Sequence, residues 1–280
     1  MPDEFFPGRR HGRPGVALFL NAGDPPLDVL GDVVHMLDEA GVDCLELAVP
    51  FPDSVTDGPV VRRSARRALD TGVDVRAVLA FIAEHRPSLR RLRIALLADW
   101  SHSVKPYPLS TVVGEVAAAG ADGLLLHALP PRLAEPYRAA AATAALPIVT
   151  TCYASGSAAS AAAAAEHASA YLYLVAHYGR SGTPPAAGFA DLSGTVARLR
   201  AMTTAPIAVG FGVRTGADVS AVHDCGADAA IVGTAGVARI ERALADNEDV
   251  VVALHDFVRS IQPAPADQAP RPSGGRNDHP

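Results

Sequence analysis

Two acidic residues, Glu46 and Asp57, are spaced as acid–base chemistry on a small substrate would need. Glu46 lies in the run Cys44-Leu45-Glu46-Leu47-Ala48-Val49, which reads as a strand. With period two, Leu45, Leu47 and Val49 face one way, toward packed helices. Cys44, Glu46 and Ala48 face the other. That places a carboxylate in an enclosed setting among small residues, where it must find a partner or take up a proton. Asp57 precedes Gly58-Pro59 in a loop that can fold back over the strand end. A plainer alternative stays open here: Glu46 pairs with an arginine and Asp57 only makes a turn.

Two glycine loops offer an anion site. Gly210-Phe211-Gly212-Val213 and Gly233-Thr234-Ala235-Gly236 each follow a short apolar strand and lead into helical pattern. Glycine lets backbone N–H groups approach an anion, and a helix N-terminus favours negative charge. Thr234 adds a hydroxyl, and Gly182 in a long loop could close a third side. The alternative is that both loops are merely tight turns. Tyr173 alternates with Leu172 and Leu174, so it is expected to point inward, where its hydroxyl could meet Glu46. Schiff-base chemistry has one lysine to draw on, Lys105, deep in a loop before a proline. The ten histidines form no close-spaced pair, and His127 and His177, each near a strand end, read as structural. The expectation is cofactor-free acid–base chemistry with no metal.

These groups need a scaffold. The chain has 280 residues, 49% apolar, which suffices for a large core. A net charge of −6 argues against nucleic-acid binding. Strands are expected at 16–21, 44–49, 93–97, 123–126, 147–151, 171–175, 206–209 and 229–232, each followed by helical pattern. Asp24 is the expected N-cap of the first helix, and the alanine-rich stretch 158–168 reads as helix rather than linker. Unbroken βα alternation over eight units predicts a single-domain α/β fold, a (βα)8 TIM barrel over 1–262, with an open doubly wound sheet as the alternative. The proline- and charge-rich stretch 263–280 reads as a disordered tail. Residues 1–14 carry charges and prolines without an apolar core, so no signal peptide is expected, and no run is long enough to span a membrane. Three scattered cysteines fit a reducing, cytoplasmic setting.

Several motifs together carry a resemblance. Phe19 through Gly23-Asp24-Pro25, the Leu45-Glu46-Leu47 to Asp57-Gly58-Pro59 block, Tyr171-x-Tyr173-Leu174, Gly210-Phe211-Gly212 and Gly233-Thr234-Ala235 occur in the order found in the tryptophan synthase alpha subunit family. The sequence resembles that family from about residue 16 to 245. The resemblance implies cleavage of indole-3-glycerol phosphate to indole and glyceraldehyde 3-phosphate. It implies Glu46 as the acid–base group, Asp57 as the electrostatic partner of the indole N–H, and Tyr173 beside them. It further implies a phosphate site at Gly182, Gly212, Val213, Gly233 and Thr234, and a ring pocket containing Phe19, Leu97 and Phe211.

Three departures modify that expectation. The loop after the second strand reads Pro50-Phe51-Pro52-Asp53-Ser54 where the family has proline-phenylalanine-serine-aspartate-proline. The loop after the sixth strand opens Ala176-His177-Tyr178-Gly179 instead of serine-arginine-serine-glycine. Asp99, His127 and Thr150 fall where the family is aromatic or apolar. The expectation is an enzyme acting on a small phosphorylated molecule without the family's usual beta-subunit partner, a beta-like partner at the diverged interface loops staying open. The alternatives are a specialised-pathway lyase on a phosphate substrate with a more polar aromatic half, and a non-catalytic regulatory subunit.

Overall fold

The computed structural model describes residues 5–7, 13–176 and 189–262. Its centre is a sheet of eight parallel strands: β1 (Gly15–Asn21), β2 (Cys44–Ala48), β3 (Arg93–Asp99), β4 (Gly123–His127), β5 (Val149–Tyr153), β6 (Tyr171–Val175), β7 (Ile207–Gly210) and β8 (Ala229–Val232). β1 pairs with both β2 and β8, so the order β4-β3-β2-β1-β8-β7-β6-β5 wraps round. A single bridge, Leu124 to Ile148, joins β4 to β5 and makes the seam. This is the TIM barrel that the alternation predicts, and it leaves out the open doubly wound sheet.

Ten α-helices among the described residues surround the strands: α1 (Leu27–Ala40), α2 (Pro59–Asp70), α3 (Val75–His85), α4 (Leu109–Ala118), α5 (Ala134–Thr143), α6 (Ala158–His167), α7 (Ser193–Arg200), α8 (Gly216–Asp224), α9 (Thr234–Ala245) and α10 (Val250–Ile261). The alanine-rich stretch is a helix, α6, capped by Ser157, whose hydroxyl accepts from Ser160 N–H. No described helix is long and apolar enough to cross a membrane. Cys44, Cys152 and Cys225 are buried free thiols.

Period two sorts the strand residues into two apolar layers. Leu45, Leu47 and Val49 join the layer between strands and helices, as do Leu18, Leu20, Leu172 and Leu174. The inner layer packs round Tyr171 and includes the small residues Ala17, Cys44, Ala95, Ala208 and Ala229 beside Leu125, Val149 and Ile231. Phe5 and Phe6 fill the space this leaves at the strand starts. Their rings meet Tyr171 edge-on at 5.3 and 5.5 Å. The first residues thus do carry apolar content: Phe6 is fully buried, and Gly15 and Gly123 leave room for the two rings.

One expected helix cap is corrected. The N-cap of α1 is Pro26, which supplies no side-chain cap. Asp24 instead is buried and takes a two-pronged contact from Arg67 of α2, Nε to Oδ1 at 2.8 Å and Nη2 to Oδ2 at 2.7 Å. A buried carboxylate gains more from a guanidinium fork than from one backbone N–H.

Candidate active site

The strands' C-terminal ends enclose one pocket, and most of the expected site residues line it: Glu46, Asp57, Tyr173, Gly212, Val213, Gly233 and Thr234, with Phe19, Leu97, Asp99, His127 and Phe211. Gly182 and His177 lie outside the described residues.

Glu46 is fully buried. No arginine among the described residues meets it. Its Oε1 accepts from the Tyr171 hydroxyl at 2.5 Å, reached across the barrel because Ala17, Cys44 and Ala95 leave the path open. Its Oε2 is buried with no hydrogen-bond partner among the described residues. Burial raises the Glu46 pKa to about 7, with the Tyr171 hydrogen bond opposing part of the rise. A carboxyl poised there can give or take a proton at neutral pH. The partner of Glu46 differs from expectation. Both tyrosines of β6 face inward, but Tyr171, one inward position deeper than Tyr173, makes the bond.

Tyr173 stands higher, at the pocket wall, with its ring edge-on to Phe211 at 6.4 Å. Gly210 makes that placement possible. A Cβ there would sit 2.6 Å from Tyr173 Cε2. Burial, then the charges of Glu46 and Asp57, keeps the Tyr173 hydroxyl protonated far above its usual range. Asp57 lies on the β2–α2 loop, half-buried in the same pocket.

The β7 and β8 loops form the opposite wall. Phe211 and Gly212 both have left-handed backbone, φ 72° and 96°, which turns the chain sharply into the pocket. α9 begins at the pocket edge, with Gly233 as an N-cap that supplies no side-chain acceptor. Its first N–H groups therefore lack a side-chain cap, and the helix end carries partial positive charge. Thr234 Oγ1 is buried with no partner among the described residues. The arrangement fits a phosphate. Arg214, which sequence reading missed, also lines the pocket. It sits two residues beyond Gly212, and nothing in the local pattern separates it from an ordinary surface arginine.

The third side is mixed. Phe19, Leu97, Leu125 and Ile231 supply apolar surface. Asp99 and His127, paired in register at the ends of β3 and β4, supply polar surface. Asp99 is nearly buried. Its Oδ1 accepts from His102 Nδ1 at 2.7 Å and from the backbone N–H groups of Ser101 and His102; its Oδ2 accepts from His127 Nδ1 at 3.1 Å. Burial would raise the Asp99 pKa, but the histidine and backbone donors outweigh it and hold the carboxyl below its usual value. Phe51 stacks on both imidazoles, at 5.4 and 6.3 Å. His102 and Phe51 went unrecognised because loop geometry, not spacing, brings them here.

Thr150 is not in the pocket. Its hydroxyl donates to Ala164 O of α6, on the helix side. Thr151, in register with Tyr173, faces inward in its place. The strand occupies 149–153 rather than 147–151, and its two adjacent threonines give the alternation no contrast. Among the described residues, no group of three or more histidine, cysteine or acidic side chains could hold a metal ion.

Comparison with known proteins agrees with this geometry. A family model, the tryptophan synthase alpha chain, matches residues 7–265. The tryptophan synthase alpha chain of Gloeobacter violaceus is 33% identical over 256 residues, covering 91% of each chain. That of Nitrosococcus oceani is 33% identical over 234 residues, covering 84% of this chain and 85% of its own. Among solved structures, a Mycobacterium tuberculosis tryptophan synthase superposes with TM-score 0.79 at 26% identity, covering 92% of this chain and 96% of that one. The tryptophan synthase alpha subunit of Legionella pneumophila reaches TM-score 0.81 at 26% identity, covering 92% and 94%. With a matching family model over most of its length and relatives a third identical, this chain belongs to the tryptophan synthase alpha chain family of carbon–carbon lyases.

Proposed function

We propose that the protein cleaves indole-3-glycerol phosphate, or a close aryl relative, to the free arene and glyceraldehyde 3-phosphate, without cofactor or metal. The supporting observation is the buried Glu46 carboxyl, with Oε2 unpartnered among the described residues, in the same pocket as the glycine-lined helix end of α9. In this reading Glu46 first gives its proton to ring carbon 3. The side-chain hydroxyl then returns a proton to the carboxylate as the carbon–carbon bond breaks. The bonding pair goes back to the ring, and the hydroxyl carbon leaves as an aldehyde. The net change is one proton moved from oxygen to carbon. Asp57 holds the ring N–H and offsets the positive charge that C3 protonation creates. Tyr173, neutral at working pH, shapes the site beside them. Gly212, Val213, Gly233 and Thr234 hold the phosphate, with Gly182 as a further contact and Arg214 adding charge.

The enzyme acts without the family's beta partner in this reading. The altered Pro50-Phe51-Pro52-Asp53-Ser54 loop supports it, since that loop contacts the beta subunit where one is present. The rest of the chain fits one barrel domain over 1–262 with a tail at 263–280. Three free buried thiols fit a cytoplasmic setting. The test is indole release from indole-3-glycerol phosphate by the purified chain alone, with Glu46→Gln as control. Release lost in the variant supports the reading. Full release by the variant, or none by the parent at high enzyme, overturns it. Turnover appearing only when a beta subunit is added overturns the stand-alone part.

A further inference from the structure

The reaction above does not use His127. It stands on a wall of the pocket shared with Leu97 and Leu125, and Asp99 fixes its ring. Asp99 divides its two oxygens. Oδ1 serves the turn at 100–104 through Ser101, His102 and the His102 ring, while Oδ2 is given to His127. The turn is thus capped without His127, so packing does not explain that second contact. An ionised carboxylate can only accept, so His127 Nδ1 carries a proton, and in the neutral imidazole that leaves Nε2 as the acceptor. Nε2 has no partner among the described residues.

An unsubstituted aromatic ring entering here would displace water from Nε2 and offer nothing back. A site whose polar group is left unpaired discriminates strongly against the analogue that lacks the matching donor. Asp57 already answers the ring N–H in the reading above, so His127 calls for a second donor. We infer that His127, oriented by Asp99, recognises a hydroxyl group on the aromatic ring of the substrate, so that the substrate is a ring-hydroxylated aryl glycerol phosphate. This rests on the retro-aldol reading of the same pocket. His127 is then a specificity residue and Asp99 its positioning residue.

The test measures ring binding apart from turnover. Indole and the 4-, 5-, 6- and 7-hydroxyindoles are titrated calorimetrically into the full chain with inorganic phosphate present. One hydroxyindole should bind tenfold or more tightly than indole, and His127→Leu should erase that preference while leaving indole binding equal or stronger. Equal or tighter binding of indole by the parent overturns the inference. So does a variant that weakens every ligand by the same factor. Asp99→Asn gives a second reading in case the leucine variant folds poorly. Its amide oxygen can still cap the turn, but its NH2 turned toward His127 Nδ1 moves the proton to Nε2. The parent should therefore reject the corresponding methoxyindole, an acceptor only, and Asp99→Asn should narrow that gap; an unchanged gap counts against the inference. Cleavage of indole-3-glycerol phosphate with its Glu46→Gln control is scored separately. Cleavage without ring preference removes this inference alone, and ring preference without cleavage removes the retro-aldol reading alone.

Discussion

The barrel is built differently above and below Glu46. Below it, Tyr171, Phe5 and Phe6 fill the interior edge to edge, and the Tyr171 hydroxyl is satisfied by Glu46 Oε1. Above it, Glu46 Oε2 and Thr234 Oγ1 are both buried without partners among the described residues. A folded chain keeps few such atoms, because each costs about 1–3 kcal/mol when left unpaired. The lower half therefore reads as packing that keeps water from the carboxyl, and the upper half as a place prepared for something the chain does not itself contain. One carboxyl, split between the halves, has its acidity set from below and its use from above.

That contrast can be broken from either side. Replacing Glu46 with Gln should have the largest effect: kcat for aryl release should fall by about 10³-fold or more, with substrate affinity changed little, measured at saturating substrate. Gly233→Asp comes next. The added Cβ is accommodated, since it would lie 3.6 Å from Phe19 Cβ, but the carboxylate would occupy the anion wall. kcat/KM should drop about 10²-fold, mostly through KM, with the melting temperature nearly unchanged.

The lower half is tested by stability. The folded-state pKa of Glu46, about 7, lies above its usual 4.5, so the folded protein holds this proton more tightly than the unfolded chain does. The stability this brings is complete below pH 4.5 and is lost as pH rises through 7. Glu46→Gln lacks that loss. Its stability relative to the parent should grow by up to about 3 kcal/mol between pH 4.5 and 8 in urea titrations. Tyr171→Phe should have the smallest effect. Removing the donor that opposes the rise should move the Glu46-dependent limb of the pH–rate profile upward by about one unit. A downward move would show that water, not apolar packing, fills the floor.

Much of the upper half was legible in the linear chain. Eight βα units, the inward parity of Glu46 and the glycine pairs at 210–212 and 233–236 are short-range patterns, and each fell where expected. What escaped notice depends on depth or on distant partners. Period two shows that Tyr171 and Tyr173 share a face, but not which of them crosses the barrel. Val149-Thr150-Thr151-Cys152-Tyr153 has no polarity contrast, so period two does not tell which threonine faces inward. Asp24 looks like a cap because the competing arginine is on another helix. Phe5 and Phe6 are hidden among charges and prolines, and only the closed barrel gives them somewhere to go.

Those two phenylalanines reach beyond packing. They act as a stopper set by a stretch that the strands do not hold in register, and what they seal off is the dielectric around the acid. Phe5→Ser with Phe6→Ser should leave the catalytic constellation in place yet admit solvent from beneath, drawing the Glu46 pKa back toward its ordinary value. The potency of the acid at the top of this barrel would then be governed by two phenylalanines at the bottom, on the face opposite the pocket.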